Sequence, residues 1–529
     1  MPTDLEKIIP PKDISLEKKK LVFTFFYRRL ARYRNTVKWC SNPDPSLRDG
    51  SNGEQRQRAF ESQINIWAQN LLKEAWIVCH ASEDNACPTL DSLADTATGD
   101  LKEAEIMEDM SKVLNTIVFL DITNAKQYSA HTRVFLKSLG KLDEVAIVST
   151  LRNPKKTLEQ AQMQVEATRS DHAEQGKTLR VVGMGIGAIA GGILIGITGG
   201  LAAPLVGAGV ATILGWLGLG GTLVGLLASA LAGSSVVCGA LFGIYGAQST
   251  ANMVERHTKE VRDLALVPVR KKSGYDTLGI RICASGWLTS KDDVTAPWSS
   301  IISMDDTLAL QWEIQALEDL SDALMTLAKS HAMKYLQGEV IKRTLFASLM
   351  TSLSPIAWLK MGQIIDNPWM NARALAIKTG VVLGDLLANR AFGNRPVTLA
   401  GYSLGSLVIF EALKHLATLD PSKSIHLIED VFLFGTPVKA EADAWISVRR
   451  VVAGRLVNGY TQNDYVLGVL SRLSDATWEV AGLQKVTVKG VENICCEAVE
   501  GHTMWRTAVG RYLASADMEE SERHTKNRF

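Results

Sequence analysis

The sequence predicts an α/β fold over residues 270–515. The expected sheet is doubly wound and mostly parallel, preceded by an N-terminal helical region and a glycine-rich hydrophobic helical hairpin. Three observations predict it. Short apolar runs near 279–284, 307–312, 396–400, 431–435, 454–460 and 491–497 alternate with segments of helical spacing, the order that crossover helices impose on parallel strands. One glycine-flanked serine turn, Gly401-Tyr402-Ser403-Leu404-Gly405, joins an apolar strand to a helical pattern. Residues 181–254 contain no Asp, Glu, Lys, Arg or His, which sets that stretch apart from both flanks.

Residues 1–175 read as helical. Phe60, Ile64, Trp67, Leu71 and Leu72 recur at helical spacing, and few turn-forming pairs interrupt the region. The basic aromatic run at 18–29 is expected to be one helix docking its aromatic face, the alternative being a helix lying on an anionic membrane. Residues 153–180 are polar and charged and lead into the next region. The chain starts without an apolar segment, so no cleavable secretion signal is expected.

Residues 176–262 form the hydrophobic region. Between 181 and 247 lie 19 of the 42 glycines. A helix needs about 20 apolar residues to cross a bilayer, so this length holds two spans or three short ones. Glycines at 183, 187 and 191, and at 192, 196 and 200, repeat every four residues and share a helix face, where they let backbones approach. Lys177 and Arg180 precede the region; Arg256, Lys259, Arg262 and Arg270-Lys271-Lys272 follow it. Positive flanks on both sides predict an even number of crossings, a transmembrane hairpin with both ends, and so the following domain, in the cytosol. The alternative is a glycine-rich hairpin buried within a soluble protein.

Within 270–515, the Gly-x-Ser-x-Gly turn between strand and helix is the pattern of a nucleophile elbow, and it makes the expected fold an α/β-hydrolase. A serine in that turn takes a strained backbone to expose its hydroxyl, and the flanking glycines remove colliding Cβ atoms. Such folds order their triad as Ser, acid, His. Downstream of Ser403 stand His415, within the helix that follows, His426, just before the next strand, His524, in the charged tail 516–529, and His502, in a loop after the last strand. His502 is therefore the expected general base. Among Asp430, Asp443, Asp464 and Asp475, Asp464 follows the 454–460 strand by a short loop, where a carboxylate can fix the histidine tautomer. One oxyanion donor is the N–H of Leu404; the second comes from the loop after 279–284, from Gly286, Trp287 or Leu288. The long apolar piece 345–359, between the second and third strands, reads equally as a lid and as a core helix.

The pieces Ala284-Ser-Gly-Trp-Leu288, Gly401-Tyr-Ser-Leu-Gly-Ser406, Phe434-Gly-Thr-Pro437, Gly454-Arg-Leu-Val-Asn-Gly-Tyr460 with Asp464, and Gly501-His502 resemble the transmembrane and coiled-coil domain-containing protein 4 family over about residues 175–515. Its members are membrane-associated α/β-hydrolase-like proteins. The resemblance implies Ser403, Asp464 and His502 as the triad and names no substrate.

With 57 basic and 56 acidic side chains the net charge is +1, which points away from a nucleic-acid partner. Seven cysteines, at 40, 79, 87, 238, 283, 495 and 496, show neither metal-ligand spacing nor a disulfide framework. No metal or cofactor is expected, and a reducing compartment is. Two functions of different class fit. One is a membrane-associated serine esterase, lipase-like, whose partners are the lipid bilayer and a lipid or other ester substrate. The other is a catalytically silent membrane-tethered scaffold or trafficking adaptor on a hydrolase fold.

Overall fold

The computed structural model describes residues 3–10, 14–41, 50–80, 86–91, 94–101, 103–163, 214, 221–243, 261–270, 277–301, 305–329, 355–475 and 479–526. The chain divides into two compact units, one of residues 1–33, 66–128 and 135–241, the other of 34–65, 129–134 and 242–529.

The first unit is helical. Its first helix, Asp4–Ile8, opens with a capping box in which Thr3 Oγ accepts from the Glu6 N–H and the Glu6 carboxylate accepts from the Thr3 N–H. The basic aromatic run lies in one helix, Leu16–Ser41, and buries Phe23, Phe25 and Phe26. Phe26 meets Phe135 edge to face with centroids 5.2 Å apart, and Phe23 meets Trp76 likewise at 5.0 Å. Burial of these rings fits the docked-helix expectation for that run.

Seven strands make the sheet of the second unit: β1 (Ala265–Pro268), β2 (Ile280–Ala284), β3 (Asp306–Gln311), β4 (Val397–Tyr402), β5 (Ile428–Phe434), β6 (Leu456–Tyr460) and β7 (Val491–Cys495). Their order is β1-β3-β2-β4-β5-β6-β7, parallel throughout except that β1 runs antiparallel to β3. This is an α/β fold of the mostly parallel kind. The six apolar runs in the sequence are β2 to β7. Nothing in the pattern announces β1, a four-residue edge strand ending in proline, where a missing N–H costs the ladder nothing. Strands β2, β4 and β5 are buried at every residue, as both-sided helix cover requires. On one face, helix Leu404–Thr418 packs against helix Pro355–Ala388. A Cβ at Gly380 would lie 2.6 Å from the Val408 carbonyl, so that contact depends on a missing side chain.

The short segment 129–134 belongs to this unit by strong polar contacts. Arg133, almost wholly buried, donates to both Asp305 oxygens at 2.7 and 3.0 Å and to Glu429 at 2.5 Å. Each carboxylate offsets a cation that burial alone would make costly.

Among the described residues, no single helix is long and apolar enough to cross a membrane. One pair, Leu223–Ala232 and Ser234–Gly243, passes that test together and is bent by 61°. Most of the hydrophobic stretch, including the glycine repeats at 183–200, lies outside the described residues, as does 345–354 of the apolar insert.

Candidate active site

The sheet changes winding direction between β2 and β4. After β2 the chain goes to its outer neighbour β3, then crosses back to lay β4 on β2's other side, with Ala284 opposite Gly401. The loops leaving these two strands therefore diverge, and their carboxyl ends are where open α/β sheets of this kind place their sites. Ser403 stands there, at the start of helix Leu404–Thr418, with φ 53° and ψ −127°. A non-glycine residue rarely takes that conformation, and it persists only when its surroundings enforce it. Its N–H donates to the Phe434 carbonyl at 2.9 Å, and its carbonyl accepts from Ser406 and Leu407. The flanking glycines are needed sterically. A Cβ at Gly405 would sit 2.0 Å from the Ala284 carbonyl oxygen, and one at Gly401 would sit 2.8 Å from the Gly405 carbonyl carbon.

His502 and Asp464 reach the same point from the far strands. His502 begins a 3-10 turn, His502–Met504, in the loop after β7, and Asp464 ends the loop after β6. Ser403 Oγ donates to His502 Nε2 at 2.7 Å, and His502 Nδ1 donates to Asp464 Oδ2 at 2.8 Å. The direction follows from the carboxylate, which can only accept. Asp464 also accepts the indole N–H of Trp505 at 2.9 Å on Oδ2 and the N–H of Leu467 at 2.9 Å on Oδ1. Ser403 and Asp464 are 0% exposed and His502 is 1% exposed.

The other described candidates lie elsewhere. His415 Nε2 bonds Asp385 at 2.8 Å, and His426 Nδ1 bonds the Ser129 hydroxyl at 2.8 Å. Asp430 lies within β5 and accepts the Arg455 N–H at 2.6 Å. Asp443 lies in the first turn of helix Ala442–Arg450, and Asp475 ends helix Tyr465–Asp475. The side chain of His524 is outside the described residues.

Of the three candidate loop donors, Leu288 is engaged: its N–H donates to the Leu317 carbonyl at 3.3 Å. Gly286 is pressed onto the serine turn. A Cβ on it would fall 2.2 Å from the Tyr402 carbonyl, 2.5 Å from the Leu404 nitrogen and 2.7 Å from Ser403 Cβ. Leu404 is the first residue of its helix, where an N–H has no intrahelical acceptor. The buried hydroxyl of Tyr402 donates to the Trp287 carbonyl at 3.1 Å, and burial keeps that phenol raised and neutral.

Two supporting groups escape sequence reasoning. Nothing in its spacing marks Trp505 as more than a buried helix residue, yet its indole bonds the acid. Asp293 holds the loop after β2 through Thr289 and pairs with Arg506 at 2.5 Å. Burial works to raise the Asp293 carboxyl; the Thr289 bonds and the Arg506 cation outweigh it and hold the group below the usual range. The chain carried no signal for a pairing across so many residues.

A serine hydroxyl bonded to a tautomer-fixed imidazole, at the first N–H of a helix that has no intrahelical acceptor, is an arrangement suited to nucleophilic attack on a carbonyl. Comparison with known proteins finds relatives named as membrane proteins and one named as a probable lipase. "Probable lipase MIL1" of Saccharomyces cerevisiae is 33% identical over 302 residues, 56% of this chain and 26% of that protein. "Uncharacterized membrane protein C6F6.13c" of Schizosaccharomyces pombe is 36% identical over 415 residues, 75% of this chain and 70% of that one. "Transmembrane and coiled-coil domain-containing protein STS1" of Oryza sativa subsp. japonica is 31% identical over 410 residues, 74% and 61% of the two chains. This chain thus spans less than two thirds of the rice and budding-yeast relatives. No solved structure matches. A family model described as a protein of unknown function, DUF726, matches residues 176–519, and with about two thirds of its length so matched, the chain belongs to that family.

Proposed function

We propose that the chain is a membrane-associated serine hydrolase of the α/β-hydrolase type, close to the transmembrane and coiled-coil domain-containing protein 4 group, cleaving an ester, foremost that of a lipid. The observation that carries this reading is the relay Ser403–His502–Asp464, at 2.7 and 2.8 Å, on a serine with positive φ. In the reaction, Ser403 Oγ attacks the ester carbonyl carbon while His502 Nε2 takes its proton. Asp464 holds the Nδ1–H and stabilises the imidazolium. The oxyanion is received by the Leu404 N–H and by an N–H of the Gly286–Trp287 loop. The intermediate collapses, the C–O bond breaks, and His502 returns its proton to the leaving alcohol. Water then enters by the same route in reverse order and releases the acid from Ser403.

Support for a lipid ester is the uncharged stretch 181–254, the name of the budding-yeast relative and the membrane names of the others. A membrane position with the hydrolase domain in the cytosol follows from the basic flanks.

The test is a fluorophosphonate probe on the purified full-length protein, then a lipid-extract hydrolysis screen. Labelling of wild type that vanishes in Ser403→Ala is expected. No labelling of folded wild type, with no ester turnover, would favour the silent scaffold.

A further inference from the structure

The loop that follows β2 is secured on both sides of Gly286–Leu288. Asp293, in the 3-10 turn Lys291–Val294, accepts the Thr289 N–H at 2.8 Å and the Thr289 hydroxyl at 2.5 Å, both on Oδ2. Its backbone carbonyl accepts the Ser285 hydroxyl at 2.9 Å. Ser285 and Thr289, the two ends of the loop, thus hang on one residue. The other carboxylate oxygen, Oδ1, accepts from Arg506 Nη1 at 2.5 Å, and the guanidinium carbon lies 5.9 Å from the centre of the Trp287 ring. Asp293 is nearly buried and Arg506 partly exposed. Arg506 follows Trp505, which bonds Asp464. Two consecutive residues of one helical turn therefore hold the proton-transfer half of the site and the carbonyl-binding half.

We propose that the Asp293–Arg506 ion pair is a positioning device that keeps the Gly286–Trp287 loop in register with Ser403 and His502. The inference rests on the serine-hydrolase reading above. A buried carboxylate deprived of its cation must find water or a new partner. The Asp293 carboxylate cannot turn to either without releasing Thr289, at one end of the loop. The loop N–H groups act on charge that develops only in the transition state, so their displacement lowers the chemical rate and leaves ground-state binding unchanged. Arg506 itself touches no reacting atom.

The test uses the full-length protein with Arg506→Gln, Asp293→Asn, the two combined, and Arg506→Lys. The readouts are the rate constant for fluorophosphonate labelling of Ser403 and steady-state kinetics on a short soluble p-nitrophenyl ester. Each single loss should lower kcat and the labelling rate by about tenfold or more, with KM within about twofold. The double variant should be little worse than either single one, and Arg506→Lys should recover most of the rate. Wild-type rates in folded Arg506→Gln would overturn the proposal. So would a raised KM at constant kcat, which would make Arg506 a substrate-binding group, or fully additive losses. If Arg506→Gln does not fold, equal rates in Asp293→Asn, Arg506→Lys and wild type overturn it instead. Wild type that is neither labelled nor active refutes the hydrolase reading, and the positioning role falls with it. Labelled wild type with unaffected variants refutes the positioning role alone.

Discussion

Trp505 and His502 share one oxygen of Asp464. Oδ2 accepts from the imidazole Nδ1 at 2.8 Å and from the indole Nε1 at 2.9 Å, while Oδ1 is held by the Leu467 N–H. Three donors fix the plane of the carboxylate, and the carboxylate in turn fixes the ring. The indole has room because residue 435 is glycine, at φ +55°, where a Cβ would lie 2.4 Å from Nε1. Trp505→Phe keeps most of the ring contact with Phe434 and removes one donor. We expect a fall of about tenfold in kcat on a soluble ester and a loss of about 1–2 kcal/mol of stability, the scale of losing one buried hydrogen bond to a carboxylate that keeps its other two donors. Steady-state kinetics and denaturant unfolding measure both. An unchanged kcat would leave the indole a packing group only.

Gly286 offers a sharper steric test. The atoms its Cβ would meet, at 2.2 and 2.5 Å, belong to the backbone of Tyr402 and Leu404, which the strand and the helix start hold in place. In Gly286→Ala the loop must yield, because the serine turn cannot. Ester turnover should drop by about a hundredfold, the scale of losing an oxyanion donor. The melting temperature should fall by only a few degrees. Comparable loss of both would mean that the glycine serves the fold and not the loop's placement.

The site was legible in the sequence to the degree that its demands are local. Gly401, Ser403 and Gly405 stand at fixed offsets because one turn needs them, and their chemistry is visible in five letters. His502 and Asp464 followed from chain order, since parallel strands deliver loops to one edge of the sheet. The loop donor stayed open among Gly286, Trp287 and Leu288, because side-chain identity does not encode where a backbone N–H points. Only the Leu288–Leu317 bond reduces the choice. The Arg506–Asp293 and Arg133–Glu429 pairs join residues hundreds of positions apart, and no periodicity marks them. Strand β1 goes unmarked because three half-covered residues and an exposed proline carry no alternation.

His426 gives the fold a pH dependence of defined sign. Its ring is largely enclosed and bonded to Ser129, and burial first, then the Arg390 cation, pushes its pKa down to about 4. Buried His131 is lowered as well, chiefly by burial. In the unfolded chain a histidine titrates near 6.5. Between those values the unfolded state binds the extra proton, so this stability is full above pH 6.5 and is lost as pH falls toward 4. For His426 alone the loss should reach about 2 kcal/mol by pH 5. Urea unfolding of wild type at pH 7.5 and pH 5 should show it, and His426→Gln should narrow the gap. An equal gap in both proteins would assign the dependence to other groups.

Membrane attachment is the remaining prediction, and it turns on residues 181–247. No charged side chain in that stretch needs water, and the basic residues on both sides favour an anionic, cytosolic membrane face. The four-residue glycine spacing at 183–200 suits close helix packing within a bilayer. After alkaline carbonate extraction, the full-length protein should stay in the membrane pellet, and deletion of 181–247 should release it. The deletion leaves β1 to β7 and the Ser403 relay untouched in sequence, so the released protein should still be labelled by a fluorophosphonate. Its rate on a short soluble ester should stay within about twofold, whereas turnover of long-chain esters in vesicles should fall. Withdrawing such a chain into water costs about 0.8 kcal/mol per CH₂, and a detached enzyme has no bilayer edge from which to draw it. Full recovery of the intact protein in the carbonate supernatant would overturn the attachment. Equal loss of short and long substrates after deletion would mean that the stretch supports the fold of the hydrolase domain instead of its access to lipid.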